Sequence, residues 1–277
     1  MGLQLWYSKI TGNRRKGTTF SEIQDIFIDK ITTKFIYEPL ACCEINDSTN
    51  EVKNLMIQKD FDILGVTKDN NAIGYVRRQH LDHNSVEQYL LPFNTSNIIS
   101  DSTPIAELFD LLSEQGYIFV LTKNKVAGIV TKADINKPIV RIYLFGIISL
   151  FELNLNYWIN KYHETAAKWE KLIKKERFEL AQKLFKERQG QNLDLTILEC
   201  LQLCDKREIL RQTDAFLEIF NYSKSTFKSF VADVEKIRNE IAHSQNSIIA
   251  NLPWERFVST INDIKSFLSQ SEIEITK

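Results

Sequence analysis

The feature that most constrains this chain is an internal repeat. Two segments align without a gap at an offset of 54 residues. Ile45-Asn46-Asp47-Ser48-Thr49 falls on Ile99-Ser100-Asp101-Ser102-Thr103, and Val66, Asn70, Gly74 and Val76 fall on Val120, Asn124, Gly128 and Val130. Each copy reads the same way. An Asp-Ser-Thr helix start leads into an amphipathic helix, residues 52–59 or 105–113. Two short apolar strands around a polar turn follow, at 63–67 and 72–76 in the first copy and at 117–122 and 125–130 in the second. A second helix begins after each. The first half of the chain is therefore predicted to mix helices and strands.

The whole chain has 277 residues, enough for one large or two ordinary domains. Its 43% hydrophobic and 11% aromatic content predicts packed cores and excludes disorder. Lys and Arg (35) balance Asp and Glu (36), so no global basic field advertises nucleic acid. The four cysteines do not read as a disulfide framework: Cys42 and Cys43 are adjacent, and Cys200 and Cys204 lie one helical turn apart. The Cys200/Cys204 pair and the His80-x-x-His83 pair offer too few ligands for zinc, so no metal is expected. The apolar stretch from Ile142 to Phe151 is far shorter than the ~20 residues that span a bilayer. With no apolar run after the first basic residues, a cytoplasmic protein without membrane contact is expected.

A repeated helix-strand-strand-helix unit of this size resembles the cystathionine-β-synthase (CBS) domain, which normally occurs as a tandem pair. The resemblance covers residues 36–138. Its most specific part is Gly128-Ile129-Val130-Thr131-Lys132-Ala133-Asp134, which looks like the family's Gly-h-x-Thr-x-x-Asp signature, where h is apolar. The resemblance implies an adenosine ligand (ATP, ADP or AMP), with Thr131 on phosphate and Asp134 on ribose hydroxyls. Ile98, Tyr117 and Phe119 would wall the adenine. The first copy departs from the signature. Arg77 stands in place of the Thr and His80 in place of the Asp, so Arg77 and Arg78 are read there as an anion site. The alternative is that the pair is only a dimerisation scaffold.

Residues 1–35 precede the repeat. Gly12-Asn13-Arg14-Arg15-Lys16-Gly17-Thr18 has glycine spacing like a phosphate loop, but Thr18 stands where the lysine should be, so a P-loop is rejected. A basic hairpin tip is the simpler reading.

From residue 139 onward strand signals vanish. Helices are expected at 139–161, 165–187, 193–203, 214–218, 224–243 and 254–269. In the fifth, Phe230, Val234, Ile237 and Ile241 form one apolar stripe, which leaves Arg238, Asn239 and His243 off the buried face. Ser244-Gln245-Asn246 marks its stop. An Arg-Asn pair followed by His243 resembles the Arg-x4–6-His motif of the HEPN superfamily, α-helical domains many of which are dimeric, metal-independent endoribonucleases. The resemblance implies that Arg238 holds phosphate, Asn239 orients the ring and His243 moves the proton. Glu152, on the first long helix, is a candidate partner for Arg238.

The expectation is thus an α+β chain: an N-terminal extension (1–35), a tandem CBS pair (36–138) and an all-α HEPN-like bundle (139–277). Its function is expected to be a nucleotide-gated, metal-independent endoribonuclease acting as a homodimer on RNA, toxin-like, in stress response or phage defence. The competing reading is a non-catalytic, adenine-nucleotide-sensing regulatory protein whose bundle dimerises or binds RNA or protein.

Overall fold

The computed structural model describes residues 6–7, 14–15, 19–82, 84–190, 195–243 and 247–277. The Gly12–Lys16–Thr18 turn, His83 and the Ser244–Asn246 stop fall largely or wholly outside them. In chain order the first elements are β1 (Trp6–Tyr7), β2 (Arg14–Arg15), α1 (Phe20–Asp29), β3 (Glu38–Pro39), β4 (Cys42–Glu44) and α2 (Thr49–Lys59). Next come β5 (Ile63–Lys68), β6 (Asn71–Arg77), β7 (Leu91–Pro92), β8 (Ile98–Ser100), α3 (Leu108–Gln115), β9 (Tyr117–Thr122) and β10 (Lys125–Thr131). The helices α4 (Pro138–Tyr162), α5 (Ala166–Trp169), α6 (Lys175–Gln189) and α7 (Leu203–Arg211) follow. The last are α8 (Asp214–Ile219), α9 (Lys224–Ala242) and α10 (Trp254–Thr276). The chain divides into two compact units, 27–139, and 1–26 together with 140–277.

The 27–139 unit is mixed α/β and contains two four-stranded sheets, in the orders β4-β5-β6-β7 and β8-β9-β10-β3. The repeat survives into the hydrogen-bond register. Leu64 pairs with Val76 and Val66 with Gly74; at the same offset Ile118 pairs with Val130 and Val120 with Gly128. Both hairpins also carry a register irregularity near the turn. Each sheet is closed by a two-residue strand from the segment preceding the other copy. β3, just before copy one, pairs with β10, and β7, just before copy two, pairs with β6. Pro39 and Pro92 are tolerated in these strands because both lie at a sheet edge.

The close approach of these borrowed strands explains the repeated glycine. A Cβ on Gly74 would run into the Leu91 carbonyl, and one on Gly128 into the Tyr37 ring. Equivalent positions also fill the cores: Leu64, Val66, Val76 and Leu81 in copy one, and Ile118, Val120, Val130 and Ile135 in copy two, are all at most 2% exposed. Each such side chain contributes ~1.5–3 kcal/mol on burial. The Asp-Ser-Thr segments build turns rather than side-chain caps. Ser48 makes no capping bond, Asp47 accepts from the Glu44 amide at 2.8 Å, and Thr49 donates to the Asn84 carbonyl at 2.8 Å.

The second unit is mainly helical. Its centre is aromatic: Phe220 stacks on Phe267 at 4.6 Å, and Phe151, Trp158, Phe216 and Phe227 surround them. One buried polar chain crosses it. Trp158 Nε1 donates to Ser271 Oγ (2.7 Å), and that hydroxyl donates to Asn154 Oδ1 (2.6 Å). Every member is satisfied, so the chain fixes α4 against α10 without leaving an orphan group.

Two helices differ from expectation. The 165–187 segment breaks at Ile173 and Lys174, which are extended. Residues 196–205 hold two successive start signals. A Thr196/Glu199 capping box begins only one 3₁₀ turn, Ile197–Cys200, and a Gln202/Asp205 box then starts α7. The apolar stretch is also longer than expected, because α4 is long and apolar enough to cross a membrane by length and composition. Half of its most apolar stretch is buried, as in a core helix, with Leu144, Ile147, Phe151 and Leu155 fully inward.

Candidate functional site

In the 27–139 unit the strand ends of both copies open onto two adjoining clefts. One, of about 540 Å³, is bordered by Asp62, Ile63, Tyr117, Ile129, Thr131 and Asp134. The other, of about 640 Å³, is bordered by Lys53, Arg77, Arg78 and Gln79, and shares Asp62, Ile63 and Tyr117 with the first. Ile63 and Tyr117 are repeat equivalents, each opening the first strand of its hairpin.

Thr131 ends β10 and caps the 3₁₀ turn Lys132–Asn136. Its side chain accepts from the Ala133 amide, while Asp134 Oδ2 accepts from the Thr131 amide (2.7 Å) and hydroxyl (3.0 Å). The other carboxylate oxygen, Oδ1, is 2.9 Å from Lys137 Nζ, and that amine also holds Glu38 and the Ile36 carbonyl. Asp134 is 7% exposed. Burial alone would lower the Lys137 pKa, but its bonds to Asp134 and Glu38 outweigh that and raise it. The Thr-x-x-Asp signature is thus a capping box locked by one lysine.

In the second cleft Arg77 donates to the Tyr117 hydroxyl at 2.6 Å, and that hydroxyl donates to Tyr75 at 3.1 Å. The hydrogen bond to Tyr117 raises the Arg77 pKa, and burial, with Tyr75, raises that of Tyr117. Arg77 Nε is buried without a hydrogen-bond partner among the described residues. Arg78 is balanced by Asp62 (2.6 Å) and Asp60 (3.4 Å), which weakens the reading of it as an anion ligand.

The expected adenine walls need correction. Phe119 is fully buried, packed on Tyr75 and Phe93 at 4.8 Å, and borders neither cleft. Ile98 pairs with it on β8 and also borders neither. Of the three, only Tyr117 faces a cleft; Ile63 and Ile129 supply the remaining apolar surface. Lys137, Glu38 and Tyr75 were missed by sequence reasoning. Tyr75 had a signal, since it aligns with Ile129 beside the repeated glycine.

In the helical unit, α9 buries Phe230, Val234 and Ile237 and turns Arg238 and His243 outward. Arg238 Nε lies 3.6 Å from Glu152 Oε1, and its Nη1 donates to Asn239 Oδ1 at 3.3 Å. Asn239 therefore engages Arg238 rather than the His243 ring. His243 is the exposed C-cap residue of α9. Among the described residues no three His, Cys, Asp or Glu side chains group as metal ligands.

A CBS-domain family model matches residues 95–141. No curated protein matches the chain. Among solved structures, CBSX2 in complex with AMP is similar at 20% identity, covering 40% of this chain and 97% of its own, with a TM-score of 0.36. The CBS domains of a transcriptional regulator from Streptococcus pneumoniae are similar at 16% identity, covering 39% and 98%, with a TM-score of 0.35. The CBS domain of the bacterial CNNM/CorC family Mg2+ transporter is similar at 13% identity, covering 40% and 75%, with a TM-score of 0.34.

These findings correct the endoribonuclease expectation, together with its hydrolase, toxin-like and HEPN components. The family model that matches is a CBS domain and not a nuclease, and no metal-ligand group lies among the described residues. At the motif, Arg238 Nη1 donates to Asn239 Oδ1, so that oxygen does not orient the His243 ring. Among the described residues the helical unit shows no HEPN-specific signature. Residues 95–141 of this chain are a CBS domain, and the 27–139 unit around it has CBS-type architecture.

Proposed function

We propose that the 27–139 unit senses an adenine nucleotide and that the helical unit is its non-catalytic output. One observation carries the reading: Thr131 and Asp134 border a cleft that adjoins a second one bearing Arg77 and Lys53. The chemistry divides between them. Asp134 gives the first cleft a carboxylate that suits the hydroxyls of a ribose. Ile63, Ile129 and Tyr117 give it an apolar face for a base. Arg77 and Lys53 place positive charge beside it, where phosphates would lie.

Ribose hydroxyls that donate to Asp134 compete with Lys137 for the same carboxylate. Lys137 directly precedes Pro138, the first residue of α4. Ligand binding thus exchanges a bond at the residue from which the helical unit's first helix springs. Any ligand that favours one state of that junction shifts whatever α4 engages. The output is proposed to be a homodimer, supported by Ile142 and Phe145, which lie one turn apart on α4 and are 58% and 60% exposed.

Calorimetry with ATP, ADP, AMP and S-adenosylmethionine tests the proposal. Saturable heat with at least one of the four is expected; none with any of them sinks it. Light scattering at micromolar concentration is expected to give twice the chain mass, and a monomer mass would remove the dimer.

A further inference from the structure

The helical unit holds a cleft that nucleotide sensing does not use. It has a volume of about 360 Å³ and is bordered by residues of α4, α7 and α9. Ile148, Leu153 and Ile241 form apolar walls. The polar lining is unusual. Lys206 is 3% exposed, and the carboxylate that pairs with it, Glu152, is 3.8 Å away, beyond hydrogen-bond range. The other Glu152 oxygen faces Arg238 Nε at 3.6 Å, also long. Glu152 therefore serves two cations loosely, and Glu199 attracts Lys206 from farther off. Glu199, at the same rim, is committed to the Thr196 amide at 2.6 Å. Asn156 Oδ1 is buried with no hydrogen-bond partner among the described residues.

Buried polar groups are normally satisfied, so a buried amine short of acceptors beside an orphan acceptor asks for a partner carrying both functions. Water is one such partner, but its share of volume is only ~30 Å³. Water can meet these groups, but the cleft is also large enough to exchange that water for a small molecule. The volume lies at the small end of the ~300–1,000 Å³ range of small-molecule pockets. A simple carboxylate would satisfy Lys206 and Arg238 but press a second acceptor on Asn156 Oδ1. A simple amine would add a third cation and leave Lys206 short. A zwitterion satisfies both sides and adds no net charge beside the buried Lys206.

We propose that this cleft binds a small zwitterion with an apolar tail, of the α-amino acid class. Its carboxylate lies between Lys206 and Arg238, its ammonium on Asn156 Oδ1 and Glu152, and its side chain on Ile148, Leu153 and Ile241. Burial lowers the Lys206 pKa in the empty cleft, so an incoming carboxylate also restores the charge that burial disfavours.

The test is calorimetric titration of the full chain with L-leucine and L-phenylalanine. The two halves of leucine, 4-methylpentanoate and 3-methylbutylamine, and glycine, which lacks the tail, serve as comparisons. At least one of the two amino acids is expected to bind at least tenfold tighter than either half or glycine. Lys206→Met and Asn156→Leu, each shown to be folded by circular dichroism, are each expected to weaken that binding at least tenfold. If Lys206→Met does not fold, Asn156→Leu carries the comparison. Absence of saturable binding by both amino acids, equal binding of 4-methylpentanoate, or unchanged affinity in a folded variant would overturn the proposal.

Discussion

At the residue scale, Asp134 shows how a signature can hold two meanings. It caps a 3₁₀ turn and pins Lys137 before any ligand is considered. Asp134→Ala is therefore expected to lower stability by ~0.5–2 kcal/mol without nucleotide, the usual cost of losing a cap. Urea unfolding measures it, and an unchanged midpoint would mean the box contributes nothing. Lys206 makes a prediction of a different kind. Burial holds its pKa below the ordinary lysine value. The unfolded chain then binds the extra proton between the two values, so stability rises with pH through that window and levels off above the ordinary value. Lys206→Met should flatten this rise in urea midpoints followed from neutral to alkaline pH. An equal rise in wild type and variant would place its origin elsewhere. His243, exposed at the end of α9, makes the opposite forecast: His243→Ala should change stability by less than ~0.5 kcal/mol.

At the element scale, the hairpins were legible in the sequence because both copies carry the same apolar pattern, and the observed registers repeat at the offset that aligned them. The borrowed strands β3 and β7 were not legible. Two residues carry no periodic signal, and their partners lie far along the chain. The glycines were visible as repeated residues, but their reason is a contact with those hidden strands. Gly128→Ala and Gly74→Ala should each cost ~1–3 kcal/mol by overpacking. Thermal unfolding tests this; a neutral Gly74→Ala would mean that β7 yields easily. Phe119 failed for a related reason. The CBS resemblance placed it with Tyr117 toward a ligand, yet β9 is an inner strand with Ile118, Phe119 and Val120 all buried. A strand covered on both faces reads as a continuous apolar run, and alternation then says little about what is open. In the helical unit the stripe of α9 was legible and the 196–205 segment was not, because two capping boxes six residues apart imitate one helix.

At the scale of the whole molecule, Lys137 is the residue between the capped turn of the α/β unit and the 25-residue helix that leads into the helical unit. The Arg238 motif drew the sequence reading toward RNA chemistry, since spacing on a helix cannot show that Asn239 faces its neighbour rather than the histidine. The central proposal is that a nucleotide uses Asp134. The most direct measurement is calorimetric titration of AMP into wild type and Asp134→Ala side by side, with unfolding curves showing that both are folded. Saturable binding in wild type, weakened by ~1.5–3 kcal/mol in the variant, is the predicted result, the range for a hydrogen bond to a charged group. Equal affinity in the two proteins would contradict it and leave the capping box a structural device alone.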